Sequence, residues 1–147
     1  MNRVIRWFLF PLILVTVAAL AAPLAAQEIP AVVAKAEQTR IAAIAKATTS
    51  AVSVFANGGR GGGSGVVITP DGYALTNFHV VKPAGSAMKC SMADNRLYDA
   101  VIVGIDPVGD VAMIKLLGRD DFPCATLADS DKVQVGDWCF ALSLIHI

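Results

Sequence analysis

The chain has 147 residues, 55% of them hydrophobic, and its 12 basic and 12 acidic side chains balance. That is enough apolar material for one domain with a sizeable core. The basic residues are scattered singly, with no stripe that could follow a phosphate backbone, so no nucleic acid is expected as a partner.

Arg3 and Arg6 precede the uncharged run WFLFPLILVTVAALAAPLAA, and the first acidic residue is Glu28. A basic start, an apolar middle and a small-residue end predict a secretory signal peptide over residues 1–26, cut after Ala21 or after Ala26. An uncleaved membrane anchor is the other reading, because about 20 apolar residues span a bilayer. Pro11, Pro23 and the alanine-rich end favour cleavage. In both readings the rest of the chain lies outside the cytoplasm, and it touches a membrane only if the segment is uncleaved. Cleavage takes Arg3 and Arg6 away and leaves 10 basic against 12 acidic side chains, a net charge of −2. Export permits disulfides, but Cys90, Cys124 and Cys139 leave at least one thiol unpaired and form no C-x-x-C. All three are expected to be small buried hydrophobes.

Residues 27–49 read as a helical extension, with Ile41, Ala42, Ile44 and Ala45 spaced for one face and Thr48-Thr49-Ser50 ending the pattern. Residues 51–56 (AVSVFA) read as a first strand, and residues 57–65 (NGGRGGGSG) as a mobile loop. Strands at 65–69 and 73–77 flank Pro70-Asp71-Gly72, where proline presets φ and glycine accepts positive φ, so the pair is a hairpin. Further strands are expected at 87–92, 97–105, 111–117 and 138–142, with turns at Asp94-Asn95-Arg96, Asp106-Pro107 and Gly136-Asp137. Six or seven short strands with no repeated βαβ pattern predict an all-β sandwich or barrel.

His79 stands just past a strand, where it can be presented to a cleft, and Asp110 opens another strand 31 residues later. A carboxylate behind an imidazole fixes its tautomer and stabilises the imidazolium formed when it takes a proton. By residue type alone, a solvated histidine and a turn-forming aspartate are the competing reading. A zinc site joining His79, His146 and the cysteines lacks any C-x₂-C or H-x₃-H spacing, so no metal is expected.

GSGVVITPDGYALTNFHVV, YDAVIVGIDPVGDVAMIKL and LADSDKVQVGDWCFAL closely resemble the Deg/HtrA group of trypsin-like serine proteases, from residue 50 to residue 141. The T-N-x-H-V-V run at 76–81 and the G-x-D-x-x-x-D-x-A run at 104–112 carry the resemblance. It implies that residues 50–141 are the first of two six-stranded β-barrels. It makes His79 the catalytic base, Asp110 the residue that orients it, and Asp106 structural. It also implies polypeptide substrates, unfolded or damaged envelope proteins among them, a periplasmic location, no cofactor, and a homo-oligomer, trimeric in relatives.

The nucleophile of that group is a serine in G-x-S-G-G, many residues beyond the aspartate. Ser130 and Ser143 lack the context, and Ser64, in Gly62-Gly63-Ser64-Gly65, precedes the histidine and reads as loop or strand entry. The chain as written is therefore expected to be the N-terminal half of a serine endopeptidase, inactive alone. A non-catalytic binding or chaperone-type module is the alternative, and an envelope-anchored structural fragment a third reading. The terminal LSLIHI, residues 142–147, translates CTGTCTCTTATACACATC, the end of a sequencing adaptor, and is expected not to be native.

Overall fold

Among the described residues six strands close into a ring around a core of buried hydrophobic side chains. The computed structural model describes residues 28–56 and 62–143. The expected signal peptide, part of the glycine-rich stretch and His146 lie outside the described residues. The chain divides into two units, residues 1–36 and 37–147. In the first, the described residues begin helix α1 (Ala31–Ser50), whose Val33 and Ala34 amides donate to the Pro30 carbonyl. Among the described residues no helix is long and apolar enough to cross a membrane.

The second unit completes α1 and holds every strand: β1 (Ala51–Phe55), β2 (Gly62–Val67), β3 (Tyr73–Thr76), β4 (Ala87–Met92), β5 (Leu97–Asp106) and β6 (Val111–Leu116). The short helix α2 (Phe78–Val81) follows β3. All neighbours are antiparallel, and the ring runs β1-β2-β3-β6-β5-β4 and back to β1. The expected barrel is thus the barrel observed. In β4 the buried positions are Met88, Cys90 and Met92, and in β6 they are Ala112, Ile114 and Leu116. Ile114 is fully buried, which at the usual transfer value contributes about 1.5–3 kcal/mol. Among the described residues no buried side-chain polar atom lacks a partner. The β2–β3 turn forms as read: the Gly72 amide donates to the Thr69 carbonyl at 3.0 Å, with φ of 97° at Gly72. A Cβ there would also lie 2.8 Å from the Leu116 carbonyl oxygen.

Four local expectations are corrected. The helix, expected over residues 27–49, spans Ala31–Ser50 and so takes in all of Thr48-Thr49-Ser50. The hydroxyls of Thr48, Thr49 and Ser50 donate back to the carbonyls of Ile44, Lys46 and Ala47, so all three are accommodated within the last turn. Residues 62–65 are strand and not loop, because β1 pairs with them from Phe55↔Gly62 to Val52↔Gly65 and the ladder overrides glycine's freedom. No strand forms at 138–142. The barrel closes on itself and leaves no sheet edge to receive one, and Trp138 instead lies under the Arg40 guanidinium at 4.8 Å. Of the cysteines only Cys90 is buried, where loss of hydration pushes its thiol up to about 12, whereas Cys124 and Cys139 are exposed.

Candidate active site

Strand β3 ends at Thr76, which is buried and whose hydroxyl donates to the Ser64 carbonyl at 2.9 Å. Asn77 then starts α2: its backbone is extended, and its carbonyl accepts from the Val80 and Val81 amides at 3.2 and 3.4 Å. Val80 and Val81 point into the core, so His79, preceding them, is turned outward. His79 stands just past a strand, as the sequence places it, in the first turn of this four-residue helix.

Asp110 arrives from the neighbouring strand pair, at the end of the β5–β6 turn, because β6 lies directly beside β3. Asp106 builds that turn by accepting the Val108 and Gly109 amides on one oxygen, both at 3.0 Å. Asp106 is thus engaged within its own turn. Asp110 has φ of 52°, in the left-handed region that costs most side chains on the order of 1 kcal/mol and aspartate less. That conformation lets its carbonyl accept from the Asn77 side-chain amide at 2.9 Å and the Phe78 amide at 3.3 Å. Its carboxylate then reaches His79 twice. Oδ1 accepts the His79 backbone amide at 2.9 Å, and Oδ2 lies 2.7 Å from His79 Nδ1.

An ionised carboxylate can only accept, so Nδ1 carries a proton, and in the neutral ring Nε2 then holds the free lone pair. The side chains of His79 and Asp110 are 70% and 44% exposed. An ion pair so open to water adds little to stability; what it provides is a fixed tautomer and ring direction. The two hydrogen bonds from His79, amide first and ring second, hold the Asp110 carboxyl below the usual carboxylate value of 3.8. The Lys115 ammonium does the same for Asp71, and the Arg119 guanidinium for Asp121. A carboxylate lowered by folding stabilises the fold fully above its unfolded value and loses that contribution as pH falls through its folded value. The melting temperature is therefore expected to stay level down to the ordinary carboxylate range near 3.8 and to fall below it. A pH series of thermal melts checks this, and a midpoint that begins to fall well above that range would exclude these pairs as the cause.

The sequence reading brought His79 and Asp110 forward, and the fold unites them. It assigned no task to Asn77, which lies inside the T-N-x-H-V-V run and ties the two elements together. Ser64 falls in β2, its carbonyl engaged by Thr76 and its hydroxyl 3.1 Å from that of Ser143.

The trypsin-like peptidase domain family matches residues 63–144, a span that includes both members of the pair. The chain is 42% identical over 95 residues to the periplasmic serine endoprotease DegP of Salmonella typhimurium, covering 58% of this chain and 20% of that protein. It is 39% identical over 103 residues to the periplasmic serine endoprotease DegP of Escherichia coli K12, covering 61% and 22%. The crystal structure of the serine endoprotease from Yersinia pestis matches with a TM-score of 0.59 at 30% identity, over 65% of this chain and 35% of that one. This chain thus spans about a fifth of the length of these two curated relatives.

Proposed function

The chain belongs to the trypsin-like peptidase family, with Deg/HtrA proteases as its relatives, and on that premise we propose that it carries the general-base half of a serine endopeptidase. The observation that carries the reading is the 2.7 Å contact between His79 Nδ1 and Asp110 Oδ2, reinforced by the carboxylate's second bond to the His79 amide. In the proposed reaction a serine hydroxyl attacks the scissile carbonyl while His79 Nε2 takes its proton. His79 then returns the proton to the leaving amine, and water resolves the acyl-enzyme by the same route. Asp110 stays ionised throughout, holding the ring and offsetting the positive charge it acquires.

No Gly-x-Ser-Gly-Gly occurs in these 147 residues, and in this reading the serine and its oxyanion hole come from sequence outside them, without which these residues alone do not turn over. Residues 1–26 serve as the export signal, which fits relatives named as periplasmic. Residues 142–147 take no part. The substrates are polypeptides, with unfolded or damaged envelope proteins as the class the resemblance implies, and the working form is a homo-oligomer. No cofactor enters the chemistry.

Sequencing the source DNA across the codon for Ala141 tests the assignment. The frame is expected to leave LSLIHI behind and run on to a Gly-x-Ser-Gly-Gly codon series. A genomic stop directly after LSLIHI would overturn the endopeptidase reading and leave His79 a base with nothing to deprotonate.

A further inference from the structure

The Gly62-Gly63-Ser64-Gly65 run looks like a nucleophile's surroundings in the wrong place, and the proposed chemistry makes no use of it. Its geometry has another logic. Gly63 lies on β2, paired with Val54, at the point where α2 crosses the strand. A Cβ on Gly63 would stand 2.3 Å from Val80 Cγ2 and 2.8 Å from Cγ1, where ordinary contact begins near 3.4 Å. The space a side chain would occupy is filled by Val80, the residue after His79. Two residues on, a Cβ on Gly65 would meet the Leu75 carbonyl oxygen at 2.6 Å and Thr76 Cβ at 3.2 Å. Between the two glycines, the Ser64 carbonyl takes the Thr76 hydroxyl. The three residues thus press the end of β3 and the start of α2 against β2.

We infer that Gly63 is a positioning residue for the base: by leaving room for Val80 it lets α2 sink onto β2, and this depth sets His79 in line with Asp110. The inference rests on the reading of His79 as the base. The lever is short. Val80 is only 6% exposed and has the core behind it, so a methyl group at position 63 must push α2 outward. The same movement carries the His79 amide and ring away from the two oxygens of Asp110. A backbone amide and a ring nitrogen bonded to one carboxylate cannot both follow a shift of about 1 Å without losing linearity. Gly65 seats β3 and bears on the base only through Thr76.

The experiment follows the tautomer of His79, by ¹⁵N shifts in the full chain labelled at histidine, with His146 assigned separately. The unsubstituted chain should hold the Nδ1–H form, the one a carboxylate at Nδ1 selects. Gly63→Ala should lose it for the Nε2–H form that a free imidazole prefers. The double variant Gly63→Ala/Val80→Ala, which removes the two colliding methyls, should recover it. Circular dichroism on each variant separates displacement from unfolding. If Gly63→Ala fails to fold, recovery of both fold and Nδ1–H form in the double variant still supports the inference. An unchanged tautomer in Gly63→Ala overturns it, as does a double variant that folds with the wrong tautomer or does not fold. Turnover is not read, so absence of a nucleophile codon downstream would sink the endopeptidase assignment without touching this result.

Discussion

Replacing His79 by alanine in the whole protein is expected to lower kcat for peptide hydrolysis by about 10⁶-fold, with KM little changed. In the proposed mechanism the imidazole acts on the reacting hydroxyl and not on the remote parts of a substrate, so its loss removes transition-state stabilisation and leaves ground-state binding. The fold should survive, because the side chain is 70% exposed and its partner is also open to water. A fluorogenic peptide assay, run beside a thermal melt, checks both halves. A variant that keeps its melting temperature but loses less than about tenfold in kcat would remove His79 from the chemistry.

Asp110→Asn is expected to cost about 10⁴-fold in kcat with the backbone undisturbed. Asparagine accepts the left-handed φ of 52° nearly as well as aspartate, and its carbonyl oxygen can still take the His79 amide. Its amide nitrogen then faces Nδ1 as a donor. To receive that bond the ring must move its proton to Nε2, where the base is no longer free. The defect is therefore one of tautomer, not of placement. Asp110→Ala differs in kind: it loses both side-chain bonds and tolerates that φ less well, so it should melt lower than Asp110→Asn while being similarly inactive. Kinetics and melts on the two variants together decide the matter. Near-normal kcat in Asp110→Asn would show that the carboxylate's charge and accepting ability are not required.

Much of this was legible before any fold was known, and the legible parts share a cause. The alternation Met88, Cys90, Met92 in β4 and Ala112, Ile114, Leu116 in β6 is a period-2 pattern that only a half-buried strand satisfies. Pro70-Asp71-Gly72 names its turn because proline and glycine constrain φ locally. The errors share a cause too. Thr48, Thr49 and Ser50 look like helix breakers, yet their hydroxyls found carbonyls one turn back. Gly62 to Gly65 look like loop until β1 lies beside them. Residues 138–142 look like a strand, but no open edge awaited them. Local preference decides nothing where the deciding partner is distant in sequence.

The site divides along the same line. The sequence by itself brought forward the two residues of the proposed chemistry: an imidazole after one strand, a carboxylate before another, both inside runs that resemble one protease group. It also determined the all-β class, because hydrophobic period is a property of neighbouring residues. Only the tertiary structure decided that His79 and Asp110, 31 residues apart, meet at 2.7 Å. Closure of the ring puts β3 beside β6, Asn77 ties one to the turn before the other, and a left-handed residue aims the carboxylate. That meeting depends on barrel closure and on the space left at Gly63, and neither can be seen in a stretch of chain read alone.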